Sequence, residues 1–169
     1  MGLYMNTLKE KKDFKGLSKA LTYRDADIRN KAVIVLGEMN DESAIKLLIK
    51  ALNDENGHVS SNAGKSLEKI GKPAVKYLIK TLNDKNKSVR SIAAKTLGNI
   101  GEDNAVIPLI RRLNDKDVNV RNDVVIALGN IGDERAIEPL TKTLNDENGH
   151  VSNNAAKSLE KIGSQPTNL

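Results

Sequence analysis

Cysteine is missing from all 169 residues, which excludes a disulfide framework and any thiolate ligand, and fits a reducing compartment. Tryptophan is missing too, and Tyr4, Phe14, Tyr23 and Tyr77 are the only aromatic residues. A platform for stacking nucleic-acid bases, or a cofactor slot lined by rings, has little to be built from. No apolar run approaches the length of a membrane span, and the Met1-Gly2-Leu3-Tyr4 start is not that of a signal peptide. The expectation is a soluble cytoplasmic protein with no membrane contact. There is no glycine-rich phosphate loop, no hydroxyl nucleophile beside a base and no carboxylate pair in an apolar setting. The chain is therefore expected not to be an enzyme and to carry no cofactor or metal.

What the chain has is repetition. In residues 117–148, Val120, Val124, Leu128 and Ile131 fall at four- and three-residue steps, the stripe of a helix. A second stripe, Ala136, Ile137, Leu140 and Leu144, follows Gly132-Asp133-Glu134, in which Gly132 can stop one helix and Asp133 can cap the next. The unit is a helical hairpin. Its first-helix leucine recurs at Leu36, Leu67, Leu97, Leu128 and Leu159, with spacings of 31, 30, 31 and 31 residues. The second-helix pair recurs at Leu17/Leu21, Leu48/Leu52, Leu78/Leu82, Leu109/Leu113 and Leu140/Leu144. The one short step lies in the turn Gly71-Lys72-Pro73-Ala74.

An Asx residue stands before each first helix, at Asp25, Asn56, Asn86, Asp117 and Asn148, and glycine follows at Gly71, Gly101, Gly132 and Gly163, with Asn40 in its place once. The small pairs Ala32/Val33, Ala63/Gly64, Ala93/Ala94 and Ala155/Ala156 mark positions where helices can cross closely. A hairpin cannot cover its own apolar stripe, so neighbouring hairpins must stack. The expected organisation is all-α, a single repeat domain over 1–163. It comprises an N-terminal partial repeat (1–24), with a short helix near residues 3–9 and an unpaired second-type helix near 12–22, and four full hairpins (25–146). A C-terminal half repeat (147–163) and a tail (164–169) complete the chain. One stretch is nearly duplicated: Asn53 to Ser60 recurs unchanged at Asn145 to Ser152, 92 residues on, and the likeness continues to Gly71 and Gly163.

The run Val120-Arg121, then Ala127-Leu128-Gly129-Asn130-Ile131-Gly132-Asp133-Glu134-Arg135-Ala136-Ile137-Glu138-Pro139-Leu140, resembles the short HEAT-like repeat found in phycobilin lyase subunits and artificial α-helical repeat binders. The resemblance covers about residues 12–163. It implies a right-handed α-α superhelix, a solenoid whose second helices line a concave face that binds other proteins. Deoxyhypusine hydroxylases of this fold hold iron through His-Glu pairs, whereas His58 and His150 here each precede valine. DNA glycosylases of a related fold use a tryptophan-rich groove, which this chain cannot supply.

The candidate partner-binding residues form a cationic row on the second helices. Lys19, Lys50, Lys80, Arg111 and Lys142 recur once per repeat, two residues beyond a core leucine and so about 200° around the helix from it. Lys15, Lys46 and Lys76 precede the first three by one turn, with Tyr77 the large aromatic beside them, while Ile107 and Glu138 take that place later. Against an anionic partner stands a second regularity. Asp54, Asp84, Asp115 and Asp146 lie four residues after a cation, so i,i+4 pairing is expected to quench the row.

Residues 1–24 hold six cations and two anions, so most of the formal net charge of +5 belongs to one end. The expected function is a scaffold that binds a protein partner on the concave face. The alternatives are a nucleic acid or other polyanion on the basic row, and an assembly factor like the lyase subunits. For Arg29, Arg90 and Arg121, early in three first helices, the resemblance implies bridges to acidic groups of neighbouring turns, a structural role. The last helix (149–162) repeats an internal helix, so its stripe is expected to be uncovered and to pack on a second copy.

Overall fold

The computed structural model describes residues 2–164, with the side chains of residues 2 and 3 and the tail beyond Ser164 outside that description. Among the described residues there are eleven α-helices and no strand. They run α1 (Gly2–Glu10), α2 (Phe14–Ala20), α3 (Ala26–Gly37), α4 (Glu42–Ala51), α5 (Gly57–Ile70) and α6 (Lys72–Thr81). There follow α7 (Lys87–Ile100), α8 (Val106–Ile110), α9 (Val118–Ile131), α10 (Ile137–Thr143) and α11 (Gly149–Gly163). Odd-numbered helices are the first helices of the hairpins and even-numbered ones the second. The chain divides into two compact units, one ending at Tyr77 and one beginning at Leu78, with the boundary inside α6.

Chemistry at the helix ends follows the period. Asp25, Asn56, Asn86, Asp117 and Asn148 are all N-caps whose side chains accept from the first-turn amides of α3, α5, α7, α9 and α11. Such a cap is worth about 1 kcal/mol. Gly101 and Gly132 end α7 and α9 in the left-handed conformation at φ 78°, and Asn40 takes φ 43° in the equivalent turn. Gly163 differs, remaining the last residue of α11 with Ser164 as its C-cap. Asp133 accepts from the amide of Arg135 as anticipated. However, α8 and α10 are shortened, each beginning only after a 3-10 turn at Asp103–Ala105 or Glu134–Ala136.

In the N-terminal unit α3 packs on α4 and α5, and α4 on α5. Helix α1 packs on both α2 and α3, burying Met5 and Leu8. The second-type helix at the N-terminus is thus not unpaired. Its partner is α1, the short N-terminal helix expected near residues 3–9, which packs on α2 as a first helix would. In the C-terminal unit α7 packs on α9, α9 on α11, and α8 and α10 on the first helices that follow them. The phased leucines are the core: Leu17, Leu36, Leu48 and Leu67 in one unit and Leu97, Leu109, Leu128 and Leu140 in the other are fully buried. Each contributes on the order of 1.5–3 kcal/mol of burial.

The tightest helix crossings use a glycine one residue after the core leucine. A Cβ on Gly37 would lie 2.6 Å from the Ser66 Cβ, and one on Gly98 would lie 2.5 Å from the Ala127 Cα. At the Gly37 crossing Ser66 Oγ donates to the Val33 carbonyl (3.3 Å), and where Gly129 of α9 meets Ser158 of α11 the Ser158 Oγ donates to the Val125 carbonyl (3.0 Å). Among the described residues no buried side-chain polar atom lacks a partner.

The C-terminal helix corrects one expectation. Val151, Ala155 and Ile162 of α11 are buried, because α9 and α10 cover most of the stripe. What stays open is one edge of the last hairpin. Leu159 is only half-buried where its counterpart Leu67 is fully buried, and Ile137 and Leu144 are 41% and 40% exposed.

Candidate partner-binding surface

Arg29 sits in the first turn of α3 and reaches a carboxylate 25 residues later. Its Nε donates to Asp54 Oδ2 (2.8 Å) and its Nη2 to Asp54 Oδ1 (2.9 Å), while Nη1 donates to the carbonyls of Tyr23 and Arg24. The arrangement recurs in the C-terminal unit. Arg90 makes the same fork on Asp115 (2.8 and 2.7 Å), and Arg121 makes it on Asp146 (2.8 and 3.0 Å). Each aspartate also accepts the amide of the residue two further on, Asn56, Asp117 or Asn148, the N-cap of the following first helix. One guanidinium therefore ties the loop before its own helix to the cap of the next. Burial pushes the Asp54 and Asp115 carboxyls up, but the arginine and amide hydrogen bonds outweigh it and hold both below the usual carboxylate range.

This geometry overturns the expected pairing of the cationic row. Asp54, Asp115 and Asp146 do not quench Lys50, Arg111 and Lys142 through i,i+4 contacts, because the arginines of the preceding first helices already hold them. Among the described residues Lys15, Lys19, Lys50, Lys80 and Arg111 make no ion pair, and all are exposed. Two members of the row are paired, each with a glutamate one turn before it. Lys46 meets Glu42 at 2.9 Å and Lys142 meets Glu138 at 2.8 Å. Asp84 is exposed and accepts the Asn86 amide, while Ser60 of α5, like Ser152 of α11, stands where α3, α7 and α9 carry arginine.

Tyr77 is half-buried and its hydroxyl donates to Glu42 Oε1 at 2.5 Å, with the Lys76 ammonium 4.9 Å from its ring centroid. Hydrogen bonds from Tyr77 and then Lys46 lower Glu42 to about 2. In the N-terminal unit the row is thus Lys15, Lys19 and Lys50 with open ammonium groups, and Lys46, Lys76 and Tyr77 gathered around Glu42. The C-terminal unit holds Lys80, Arg111 and Lys142.

A groove lies along the second helices in each unit. Between α2 and α4 it encloses about 250 Å³, lined by Leu21, Leu47, Ala51 and Lys50 among others. Between α8 and α10 it encloses about 400 Å³, with Ile110, Leu113, Pro139 and Lys142 in its lining. His58 and His150 are exposed in the first turns of α5 and α11, and among the described residues no three His, Asp or Glu side chains gather as a metal site. No described helix is long and apolar enough to cross a membrane.

The "HEAT repeats" family model matches residues 14–82 and 108–168, and a "HEAT repeat" model matches 74–103. A search of curated proteins found no match. Among solved structures, the complex of CpcE and CpcF of phycocyanin lyase from Nostoc sp. is similar at a TM-score of 0.66 and 26% identity. That match covers 90% of this chain and 66% of the lyase chain. A designed armadillo repeat protein in complex with the peptide (KR)4 gives a TM-score of 0.57 at 21% identity, covering 94% of this chain and 85% of that one. Human deoxyhypusine hydroxylase also gives 0.57, at 15% identity, over 95% of this chain and 77% of its own. With family models spanning most of the sequence and an all-helical fold of stacked hairpins, the chain belongs to the HEAT repeat family.

Proposed function

We propose that this HEAT repeat chain is a non-enzymatic scaffold that docks a protein partner on its concave, second-helix surface. The observation that carries the reading is that Asp54, beyond the end of α4, is held by Arg29, which leaves Lys50 without a carboxylate partner. Leaving several exposed cations open on one set of helices has no use for the fold, since exposed charges contribute little to stability. It suits a surface that meets a partner. Two solved structures of similar fold support it, one a pair of lyase subunits in complex and one a designed repeat protein holding a peptide.

Affinity capture from the native host with wild type and with a Lys46→Glu, Lys50→Glu, Lys80→Glu variant tests this. The captured protein is then purified and titrated back against both. The reading expects a purified partner that binds wild type and is lost to the variant. Binding that the variant retains would overturn it. A nucleic-acid module is separated by salt: its affinity falls steeply and linearly with log salt, by phosphates contacted.

A further inference from the structure

The two second-helix grooves occupy equivalent places in the sequence. Leu47 and Pro139, Lys50 and Lys142, Asn53 and Asn145 are each 92 residues apart, the same offset as the duplicated stretch, and all six line the grooves. Equivalent positions therefore line a groove in each unit, but the rim lysine is open only in the N-terminal one, since Lys142 pairs with Glu138 at 2.8 Å.

In the N-terminal unit the lining is Leu21, Leu47 and Ala51, with Ser18 at the edge and Lys50 above it. Asp54 belongs to this lining as well, but both its carboxylate oxygens accept from Arg29 and its side chain is 8% exposed. The carboxylate nearest the groove is therefore neutralised by Arg29, and the charge offered to a visitor comes from Lys50 in the lining, with the exposed Lys19 beside the lining residue Ser18 on α2. Helix α2 carries Lys15 and Lys19 and no acidic residue at all. The combination of an apolar floor with cations at its edge is what an aliphatic side chain flanked by carboxylates would match.

We infer that the occupant of the N-terminal groove is an extended acidic segment of a protein, with one aliphatic side chain seated on Leu21, Leu47 and Ala51 and neighbouring carboxylates on Lys19 and Lys50. This rests on the second-helix surface being the docking surface and adds the chemistry of what docks. A phosphate backbone would use the lysines but leave the apolar lining empty. Single-stranded nucleic acid would want exposed rings for its bases, and Tyr77 is half-buried with its hydroxyl engaged on Glu42.

The test uses the full chain and four fluorescein-labelled probes followed by anisotropy. These are a short peptide of leucine flanked by glutamates, its glutamine counterpart, its lysine counterpart, and oligothymidylate. The glutamate peptide is expected to bind wild type, and Lys19→Glu with Lys50→Glu is expected to weaken it by about tenfold or more, two like-charge contacts replacing two attractive ones. Lys31→Glu, an exposed charge reversal on a first helix of the same unit, is expected to leave it unchanged. A glutamine or lysine peptide that binds at least as well, and is lost in the double variant, overturns the acidic occupant while the docking surface stands. Oligothymidylate binding tighter than every peptide overturns the protein occupant. Absence of glutamate-peptide binding overturns the inference outright. A captured partner insensitive to the Lys46, Lys50, Lys80 reversal removes the surface beneath it.

Discussion

Arg90 and Asp115 form a two-pronged bridge with side chains only 5% and 4% exposed, joining the start of α7 to the loop ahead of α9. Arg90→Ala leaves a buried carboxylate with only Arg112 Nη1, at 4.0 Å, as counter-charge, and breaking a buried pair from one side costs about 3–5 kcal/mol. Arg90→Ala is therefore expected to lower the stability of the C-terminal unit by about 3 kcal/mol, read by urea denaturation. Adding Asp115→Ala should recover part of that loss. The pH dependence has a definite sign. Asp115 is held below its ordinary value, so its contribution is complete above the ordinary carboxylate range and disappears as pH falls through the lowered native value. The wild-type advantage over Arg90→Ala should shrink on acidification.

A pair of glycine substitutions separates crowding from chain entropy. Gly98→Ala puts a methyl 2.5 Å from the Ala127 Cα and 2.6 Å from its Cβ, so α7 and α9 must move apart. The expected cost is about 1–3 kcal/mol. Gly57→Ala at the start of α5 meets nothing within 4 Å, and restricting the unfolded chain there is expected to be neutral or stabilising by about 0.4–1 kcal/mol. Thermal denaturation of the two variants checks the contrast.

Glu42 offers a spectroscopic reading of the row. Tyr77→Phe removes the largest cause of its lowering to about 2, leaving Lys46 as the remaining partner. The carboxyl carbon shift of Glu42, followed by NMR, is expected to titrate at a higher pH in Tyr77→Phe than in wild type. An unchanged midpoint would mean that the hydroxyl contact does not hold in solution.

The near-duplicate helices provide a matched pair. Leu67 in α5 is fully buried, whereas Leu159 in α11 is half-buried within almost the same local sequence. Leu67→Ala is expected to cost about 3 kcal/mol and Leu159→Ala less than half of that, since only part of its surface leaves water. Urea titration of both variants, with each unit followed separately, measures the ratio.

The helices were legible in the sequence because caps and core leucines report local geometry, and local geometry repeats. Asn56 could be recognised as an N-cap from its place before a stripe, without knowing what lies across from it. Asp54 could not be assigned the same way. Its spacing from Lys50 suggests an i,i+4 pair only if the helix continues, and α4 ends at Ala51, so the aspartate sits in the following turn and faces elsewhere. The same holds for Asp115 beyond α8 and Asp146 beyond α10. A signal was available in the recurrence of arginine and aspartate 25 residues apart at 29/54, 90/115 and 121/146. Recognising it requires comparing neighbouring hairpins rather than neighbouring turns. The cover over α11 was missed for a related reason, since the contribution of α9 and α10 depends on depth of packing, which a stripe pattern does not encode.

The arginine fork also acts as a ruler. A single residue inserted in a second helix would swing everything after it by about 100° and carry the aspartate out of reach. The three hairpins headed by arginine accordingly share one length, and the one headed by Ser60 is a residue shorter, with Asp84 only 24 positions on. Inserting or deleting one residue in α4, α8 or α10 is thus expected to release a fork and loosen the joint between successive hairpins, whereas the hairpin headed by Ser60 has no fork to lose.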